Sequence, residues 1–568
     1  MMKQLILSTC FCAFTISAQG QLCPSPQSSA VLRTNHVSAR IATNGTLFTD
    51  GTTGHFIPDW MSNTAPTIFS AGIWMGALDP AGNVLFSQAS YKDQSAHFTP
   101  GPLDPLTGLP SSAGCQQWDR VFLVTKAEIN AFQLQPPGLT EAQQIAQFPN
   151  VMGWPAGGNP HFEQIHGFSL PNTAQSLAPY YDANDDGQYR PLDGDFPWVE
   201  LRGKVFLPDY MAWVVMNDIN KAGAPEPAAS PLRMEIQLTA WGFDCDANSV
   251  LKNAVFTNHK LIYRGTEAYE PFYVGLWADY DIGCYLDDYV GCAPERNASF
   301  AFNADATDGN PGNTCSGTDV FAGTPPAQSL TILNHPMYAY IASPNSPSFP
   351  PATGSPNQVQ EYYNFISGRW RDGTPLSTTG NGYDPANTNF NQHFLFPDDP
   401  AEPNGWSACT ANVPISDWRS VTTVRPSFDT THLYPGEVME VTAAWVAHSN
   451  PPLPCGLDNM YSDIAAVQTL FDNSFGACGQ ISAVQTPALP LKVSVSPNPA
   501  QSVCQISYGA VEPLALRVIA PDGRLLKEQT ALPAGQCNIE VADWPSGVYS
   551  LVLVTEQGVA STLLTISR

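Results

Sequence analysis

The sharpest candidate site in the sequence is a short acidic loop between Asp182 and Asp193. Its sequence, D-A-N-D-D-G-Q-Y-R-P-L-D, fits the spacing D-x-[DN]-x-[DN]-G of a calcium-binding loop. In such loops, side-chain oxygens at alternate positions converge on one ion, glycine permits the sharp turn, and a main-chain carbonyl and a final carboxylate complete the shell. The ligands predicted here are the side chains of Asp182, Asn184, Asp186 and Asp193 and the main-chain carbonyl of Tyr189.

The charges of this loop favour an ion over an ordinary polar turn. Five carboxylates lie between Asp182 and Asp195, with only Arg190 to offset them, and they repel one another without a cation. Asp193 stands where an EF-hand has glutamate, and nearby prolines disfavour flanking helices. A free-standing calcium loop with a structural role is therefore predicted, and an ion-free Asn-Asp-Gly turn is the alternative.

A second, weaker acidic cluster comprises Asp279, Asp281, Asp287 and Asp288. Asp279 and Asp281 follow an apolar strand, so both carboxylates are expected on one side of it. Three interpretations stay open: another calcium site, turn hydrogen bonds beside a Cys284–Cys292 disulfide, or a carboxylate pair for glycoside hydrolysis. The last requires carboxyl groups about 5–5.5 Å or 6.5–9.5 Å apart, a distance that sequence adjacency does not reveal.

Tryptophans in loop-rich sequence offer a different kind of site. Trp370 and Trp406 are candidates for a platform on which a carbohydrate stacks, and core packing is the favoured alternative for each. Templates for catalysis are absent from the sequence: His161 and His166 have the wrong spacing for H-E-x-x-H, and no G-x-S-x-G or Walker A pattern occurs. These observations favour binding or a structural role over enzymatic activity.

Composition describes the molecule that must position these residues. Of 568 residues, 13% are charged and 52 are proline, while aromatic residues reach 11%; this combination is typical of β-rich, loop-rich extracellular proteins. With 24 basic and 50 acidic residues, the net charge of −26 disfavours nucleic acid as a partner and suits hard cations such as Ca²⁺.

The hydrophobic pattern predicts a mostly β fold: a body rich in β-sandwich with long loops and a few short helices, followed by a small Ig-like β-sandwich. Two short helices are predicted within residues 126–147 from capping-box sequences, and a final helix over residues 458–475. The body is divided into an N-terminal β-rich region that holds the calcium loop, residues 21–230, and a second β-rich region, residues 231–480.

The N-terminus and the cysteines indicate export. Residues 1–20 have the charged start, apolar stretch and small residues of a signal peptide, and no later stretch is long and apolar enough to span a membrane. Removing that segment leaves eleven cysteines, an odd number, so at least one thiol stays free or pairs between chains. Cys284 with Cys292 and Cys504 with Cys537 are candidate disulfides in an oxidising compartment.

After a linker at residues 481–490, residues 491–568 contain short alternating segments separated by turn signals, which predict a small β-sandwich. This segment resembles the type A sorting domain of the type IX secretion system of Bacteroidetes. The residues that carry the resemblance are Ser496-Pro497-Asn498-Pro499-Ala500, Asp522-Gly523, Ser546-Gly547-Val548-Tyr549 and the terminal Thr565-Ile566-Ser567-Arg568. The resemblance implies recognition by the secretion machinery, export across the outer membrane, and attachment to surface lipopolysaccharide or release.

The body resembles an uncharacterised group of large, secreted Bacteroidetes proteins that carry the same sorting domain. The shared signatures include residues 71–77 (AGIWMGA), 154–159 (WPAGGN), 178–182 (APYYD), 277–283 (WADYDIG) and 434–437 (YPGE). This resemblance implies architecture and location but no reaction.

Together, these features predict a calcium-stabilised, adhesin-like binding or structural protein that is secreted to the cell surface, with a glycan or protein as ligand. The alternative is a secreted hydrolase that acts on polysaccharide or protein. Disulfide pairing, ligand and oligomeric state do not follow from the sequence.

Overall fold

The computed structural model describes residues 23–567, with gaps at 35, 60–63, 90–97, 111–113, 136–137, 172–176, 202, 220–229, 246–248, 310–314, 316–319, 322, 346–348, 425–431, 450–454, 480–492, 510–512, 521–524, 531, 534 and 556–557. The predicted signal peptide and linker, as well as Asp522, Gly523 and Arg568 of the sorting-domain motif, lie outside the described residues. The chain divides into two compact units, with the division at residue 480.

The first unit is built mainly from antiparallel strands. In chain order they are β1 (Ser29–Arg33), β2 (Val37–Ala42), β3 (Phe56–Pro58), β4 (Ser70–Leu78), β5 (Val84–Gln88), β6 (Thr99–Pro100), β7 (Phe122–Thr125), β8 (Tyr180–Tyr181), β9 (Phe196–Pro197), β10 (Val199–Leu201), β11 (Lys204–Phe206), β12 (Tyr210–Asn217), β13 (Met234–Gly242), β14 (Ala254–Tyr263), β15 (Phe272–Tyr280), β16 (Asp288–Ala293), β17 (Ala298–Asn303), β18 (Ala327–Ile332), β19 (Met337–Pro344), β20 (Trp418–Val424) and β21 (Val438–His448).

Two large sheets form the sandwich of this unit. One has nine strands in the order β16-β17-β18-β21-β14-β13-β12-β6, with β7 also paired to β12; the other has five in the order β19-β20-β15-β4-β5. Apolar residues of both sheets, for example Leu238 and Val441 in the first and Leu276 in the second, belong to one continuous core. Strands β12 and β13 lie on either side of residue 230 and pair directly, so the two β-rich regions that were expected to meet there share a sheet.

Helices are few and short: α1 (Cys115–Trp118), α2 (Lys126–Gln133), α3 (Glu141–Gln147), α4 (Pro149–Met152), α5 (Phe162–His166), α6 (Ser249–Lys252), α7 (Val359–Ile366), α8 (Asp458–Asp472) and α9 (Gly476–Gly479). The two helices predicted within residues 126–147 are confirmed, and each is capped by the expected threonine, whose hydroxyl accepts a hydrogen bond from the backbone N–H three residues on. The final predicted helix is α8, which buries Ile464, Val467 and Phe471.

The second unit is a small sandwich of seven strands. A three-stranded sheet contains β22 (Ser494–Ser496), β23 (Val503–Gly509) and β26 (Gly535–Glu540); a four-stranded sheet contains β25 (Leu525–Gln529), β24 (Pro513–Ile519), β27 (Gly547–Thr555) and β28 (Gly558–Ile566). The alternating segments predicted this sandwich, but the pattern does not extend to β25, whose side chains are almost all exposed and show no alternation. The mostly β fold with a C-terminal Ig-like sandwich is therefore confirmed.

Four disulfides cross-link the first unit: Cys23–Cys115, Cys245–Cys478, Cys284–Cys315 and Cys409–Cys455. Both pairs proposed from the sequence are wrong. The Cys292 thiol is buried in the sandwich and contacts the carbonyl of Leu395. Cys504 and Cys537 are free and lie opposite Ile539 and Ile506, so they are diagonal rather than direct neighbours. Spacing along the chain is a poor guide here because the bonds join segments 31 to 233 residues apart.

Candidate metal centre

A cluster of carboxylates lies where two central strands of the five-stranded sheet end. Strands β15 and β20 pair with Asp279 opposite Arg419. Asp281 comes just after β15 and Asp417 just before β20, and alternate residues of a strand share a face. One ligand atom from each of Asp279, Asp281 and Asp417 consequently lies within 4.8 Å of the other two. This strand-end cluster therefore joins residues separated by more than 130 positions in the chain.

The strand-end cluster has one positive partner. Arg419 directs Nε toward Asp279 Oδ2 at 3.4 Å and Nη2 toward Asp417 Oδ2 at 3.3 Å. Asn345 also donates to Asp417 Oδ2 at 2.9 Å. The other oxygens, Asp279 Oδ1 and Asp417 Oδ1, are buried and have no hydrogen-bond partner among the described residues. One guanidinium thus faces three carboxylates, two of which retain an unsatisfied oxygen.

Burial makes the charged form of these carboxyls costly. Desolvation raises the pKa of Asp279 to about 8, although Arg419 acts in the opposite direction. Burial likewise raises the pKa of Asp281 well above its ordinary value, and the charges of Asp279 and Asp417 raise it further. Such a cluster stays ionised only if a cation joins it; otherwise some of its members hold protons.

A second acidic group lies beside the first. Asp287, Asp308 and Cys284 bring ligand atoms within 4.8 Å of one another, but the Cys284 sulfur is used in a disulfide and is not available as a thiolate. Asp308 accepts from the backbone N–H of Cys284 at 2.8 Å, and burial raises its pKa to about 7. Asp288 accepts from the N–H of Ile282 at 3.0 Å.

These groups are electrostatically linked to the strand-end cluster. Burial raises the pKa of Asp288 well above its ordinary value, and the charges of Asp287, Asp308 and Asp281 contribute. The structure therefore brings all four residues of the weaker predicted cluster into one region. Sequence reasoning missed Asp417, Arg419 and Asp308, because only strand pairing and the Cys284–Cys315 bond bring them there. The alternation of Asp417 and Arg419 at a strand start was the available signal.

The strand-end cluster borders a cavity that is open toward solvent. Asp281 lines a cavity of about 520 Å³ together with His55, Tyr285 and backbone near Gly54 and Gly283. Asp279 is 3% exposed and lies behind it. An ion or a substrate group would reach the buried carboxylates past Asp281.

The predicted calcium loop has a different geometry. Asp182 accepts hydrogen bonds from the backbone N–H groups of Asp186 (3.2 Å) and Gly187 (2.7 Å), and Asp186 accepts from that of Gln188 (2.8 Å). Asn184 Oδ1 accepts from the Asp186 N–H at 3.1 Å. Among the described residues, Asp182, Asp186 and Asp193 do not form a third group of converging ligand atoms. The side chains therefore organise the turn itself, with Asp185 and Gly187 at positive φ.

Tyr189 and Asp195 have roles in this loop that the sequence pattern did not reveal. Counted from Asp182, the seventh residue is Gln188, so the carbonyl assigned to Tyr189 belongs one position earlier. Tyr189 is fully buried, and its hydroxyl donates to the carbonyl of Val151 at 2.7 Å. Asp193 is exposed in a 3₁₀ turn, whereas buried Asp195 accepts from the N–H groups of Ala183 (2.8 Å) and Arg190 (2.7 Å). Asp195 is thus the carboxylate that closes the loop.

The proposed tryptophan platform is not formed. Trp370 is 1% exposed, and its Nε1 donates to the carbonyl of Gly382 at 2.8 Å. Trp406 is partly buried against Phe396, with ring centroids 5.4 Å apart. Both rings pack into the core, which was the alternative interpretation.

Comparisons with known proteins identify the end of the chain. Residues 494–567 match the family of secretion system C-terminal sorting domains. The chain is thus a secreted protein with a type IX sorting domain, as the sequence motifs predicted. None of the described helices is long and apolar enough to cross a membrane. No match is found among curated proteins.

Among solved structures, the chain is similar to a polysaccharide lyase. The identity is 10%, and the match covers 66% of this chain and 37% of that one, so the chain spans little more than a third of the lyase. With a TM-score of 0.17, the likeness supports no argument about fold or activity.

Proposed function

We propose that the protein is a calcium-stabilised binding or structural protein of the cell surface, adhesin-like, which the type IX machinery exports by means of its C-terminal domain. The observation that supports calcium most strongly is the pair of buried oxygens, Asp279 Oδ1 and Asp417 Oδ1, without a hydrogen-bond partner among the described residues. A buried carboxylate oxygen without a donor is costly, and a cation at the strand-end cluster removes that cost.

The chemistry of the ligands selects the ion. All available donors are carboxylate oxygens, which suit Ca²⁺ or Mg²⁺ rather than zinc or copper. Ca²⁺ accepts irregular geometry and six to eight ligands, whereas Mg²⁺ requires a near-ideal octahedron. The ion would hold together the end of β15, the start of β20 and the segment around Asn345, and so rigidify the loops that surround the cavity at Asp281.

The test is thermal unfolding of the full chain with excess calcium and with chelator. Calcium at one hundred times its Kd should stabilise the wild type by about 2.7 kcal/mol. Asp417→Asn should abolish that increase, because it removes a ligand while keeping the size of the side chain. Asp59→Asn, at an exposed aspartate of the same unit, is the matched control and should retain it. An equal calcium response in Asp417→Asn and wild type would contradict calcium binding at this cluster.

Function at the surface requires a ligand. The full chain should retain one class of glycan or matrix protein more strongly with calcium than with chelator. The retained ligand should be recovered intact. Absence of retention under both conditions would refute a binding role and favour a structural subunit of the surface layer. Attachment to lipopolysaccharide would be seen as membrane-associated protein that shifts to a heterogeneous, higher mass.

A hydrolase is the second candidate, and one observation favours it. Asp281 has a raised pKa, lies at the cavity of about 520 Å³, and has a second carboxyl within 4.8 Å. A protonated acid next to another carboxyl is the arrangement of a glycoside hydrolase. Recovery of cleaved polysaccharide, lost in Asp281→Asn, would establish this function in place of simple binding.

A further inference from the structure

A polar cavity lies on the other sheet, away from the strand-end cluster. On β13, β14 and β21, Gln237 is opposite Lys260, and Lys260 is opposite Glu440. In the adjacent row, Thr239 is opposite Asn258. The intervening residues of these strands, such as Leu238 and Val441, belong to the sandwich core. Since side chains alternate between faces, the polar rows lie on the outer face of the nine-stranded sheet.

The segment that contains the acidic loop covers this face. Tyr180 of β8, Asp182 at the start of the loop and Glu200 of β10 line the cavity from above, and its volume is about 440 Å³. That volume is within the usual range of about 300–1,000 Å³ for small-molecule sites. The floor contains Gln237, Thr239 and Asn258, each at most 5% exposed. The outer face of the sheet and the covering segment therefore enclose a chamber that is lined by these polar groups and by apolar residues such as Leu177 and Trp213.

Lys260 is the feature that points to a ligand. The residue is partly buried, and its ammonium makes no hydrogen bond or ion pair with any described residue. Burial lowers its pKa, while Glu440 and Glu200 raise it from beyond contact distance. Because the side chain is only partly buried and lines the cavity, its ammonium can donate hydrogen bonds to a ligand there. The Thr239 side chain lies at the floor of the same chamber.

We propose that this chamber, lined by Lys260, Thr239, Gln237, Asn258, Glu440 and Tyr180, binds a neutral saccharide of one or two rings. The proposal rests on the binding function proposed above and names the site and the ligand class.

The charges and polar groups of the lining disfavour the other classes of ligand. Three carboxylates, those of Asp182, Glu200 and Glu440, outnumber Lys260 and repel an anionic ligand. A cationic ligand would bring a second positive charge against the Lys260 ammonium, and an apolar ligand would offer that ammonium no hydrogen-bond acceptor. Vicinal hydroxyls match the lining, because each both donates and accepts: the ammonium and amides donate to them, and the carboxylates accept from them.

The experiment uses the full chain and a set of neutral oligosaccharides (glucan, mannan, galactan and chitin fragments) with uronate oligosaccharides as the anionic comparison. Wild type should bind at least one neutral member and no uronate. Lys260→Met should weaken the Kd about tenfold or more, as expected for the loss of a charged hydrogen bond. Lys527→Met, at an exposed lysine of the sorting domain, is the matched control and should bind as wild type does.

A second variant protects the test against misfolding. Thr239→Val keeps the shape of the side chain and removes only the hydroxyl, and it should weaken the Kd several-fold with an unchanged unfolding temperature. Saccharide binding that is unaffected by both cavity variants would overturn the assignment of the site while leaving the binding function intact. Absence of saccharide binding with retention of a protein ligand would overturn the ligand class. Absence of any ligand would refute the proposed function itself.

Discussion

The loop at 182–195 and the strand-end cluster contain the same residue type in contrasting environments. In the loop, Asp182, Asp186 and Asp195 accept hydrogen bonds from backbone N–H groups close in the chain. In the strand-end cluster, Asp279 lies on β15 and Asp417 directly before β20, and each retains an oxygen without a hydrogen-bond partner among the described residues. Aspartates in a turn can satisfy themselves locally, whereas aspartates that converge from paired strands need a cation from elsewhere.

The largest loss of stability is expected from removing the positive charge of Arg419 at the strand-end cluster. Arg419→Met leaves the buried carboxyl groups of Asp279 and Asp417 without their positive partner and should lower the free energy of unfolding in chelator by about 3–5 kcal/mol. Urea unfolding measures this. Arg190→Met is the matched control in the loop, where the pair with Asp186 at 3.4 Å is solvent-exposed and should contribute at most about 1 kcal/mol. Equal losses of unfolding free energy in the Arg419 and Arg190 variants would contradict the difference in burial cost between the strand-end cluster and the loop.

His259 tests whether burial without a partner is costly when no ion is involved. Both ring nitrogens are buried and unpartnered among the described residues, and burial lowers its pKa to about 3. The unfolded chain, with a histidine pKa near 6.5, binds the proton first, so stability falls as the pH decreases from 6.5 toward 3. At pH 5 the loss should be about 2 kcal/mol relative to pH 7.

His259→Leu should remove this loss, measured as the difference between variant and wild type in the change of unfolding free energy from pH 7 to pH 5. The other titrating groups occur in both proteins and cancel in that difference. An identical pH dependence of the two proteins would show that the His259 ring finds a partner in solution.

The smallest effect is expected in the loop. Asp182→Asn should cost about 1 kcal/mol, because the amide oxygen still accepts one N–H bond but loses the charge. It should leave the calcium-induced rise in unfolding temperature unchanged if the ion binds only at the strand-end cluster. Loss of that rise in Asp182→Asn, but not in Asp185→Asn at a non-ligand position, would instead place the functional ion in the loop.

Much of the fold follows from the sequence because periodicity and capping are local. Helices α2 and α3, for example, follow from their capping threonines. Strand β25 was not predicted because its side chains are exposed, and the disulfides were not predicted because their partners are distant in the chain. The sequence left open whether Trp370 packs in the core or forms part of a ligand platform, because loop-rich sequence does not show that the loop folds inward.

The sequence by itself determined the sorting domain, the β architecture and the presence of two acidic segments, since each of these depends on residues close together in the chain. The tertiary structure decided which carboxylates are exposed and hydrogen-bonded, and which are buried with an oxygen that lacks a hydrogen-bond donor. It did so by pairing β15 with β20, which brings Asp417 and Arg419 to Asp279. It also placed residues 177–201 over the polar face around Lys260. Both arrangements depend on long-range strand register, which no local pattern encodes.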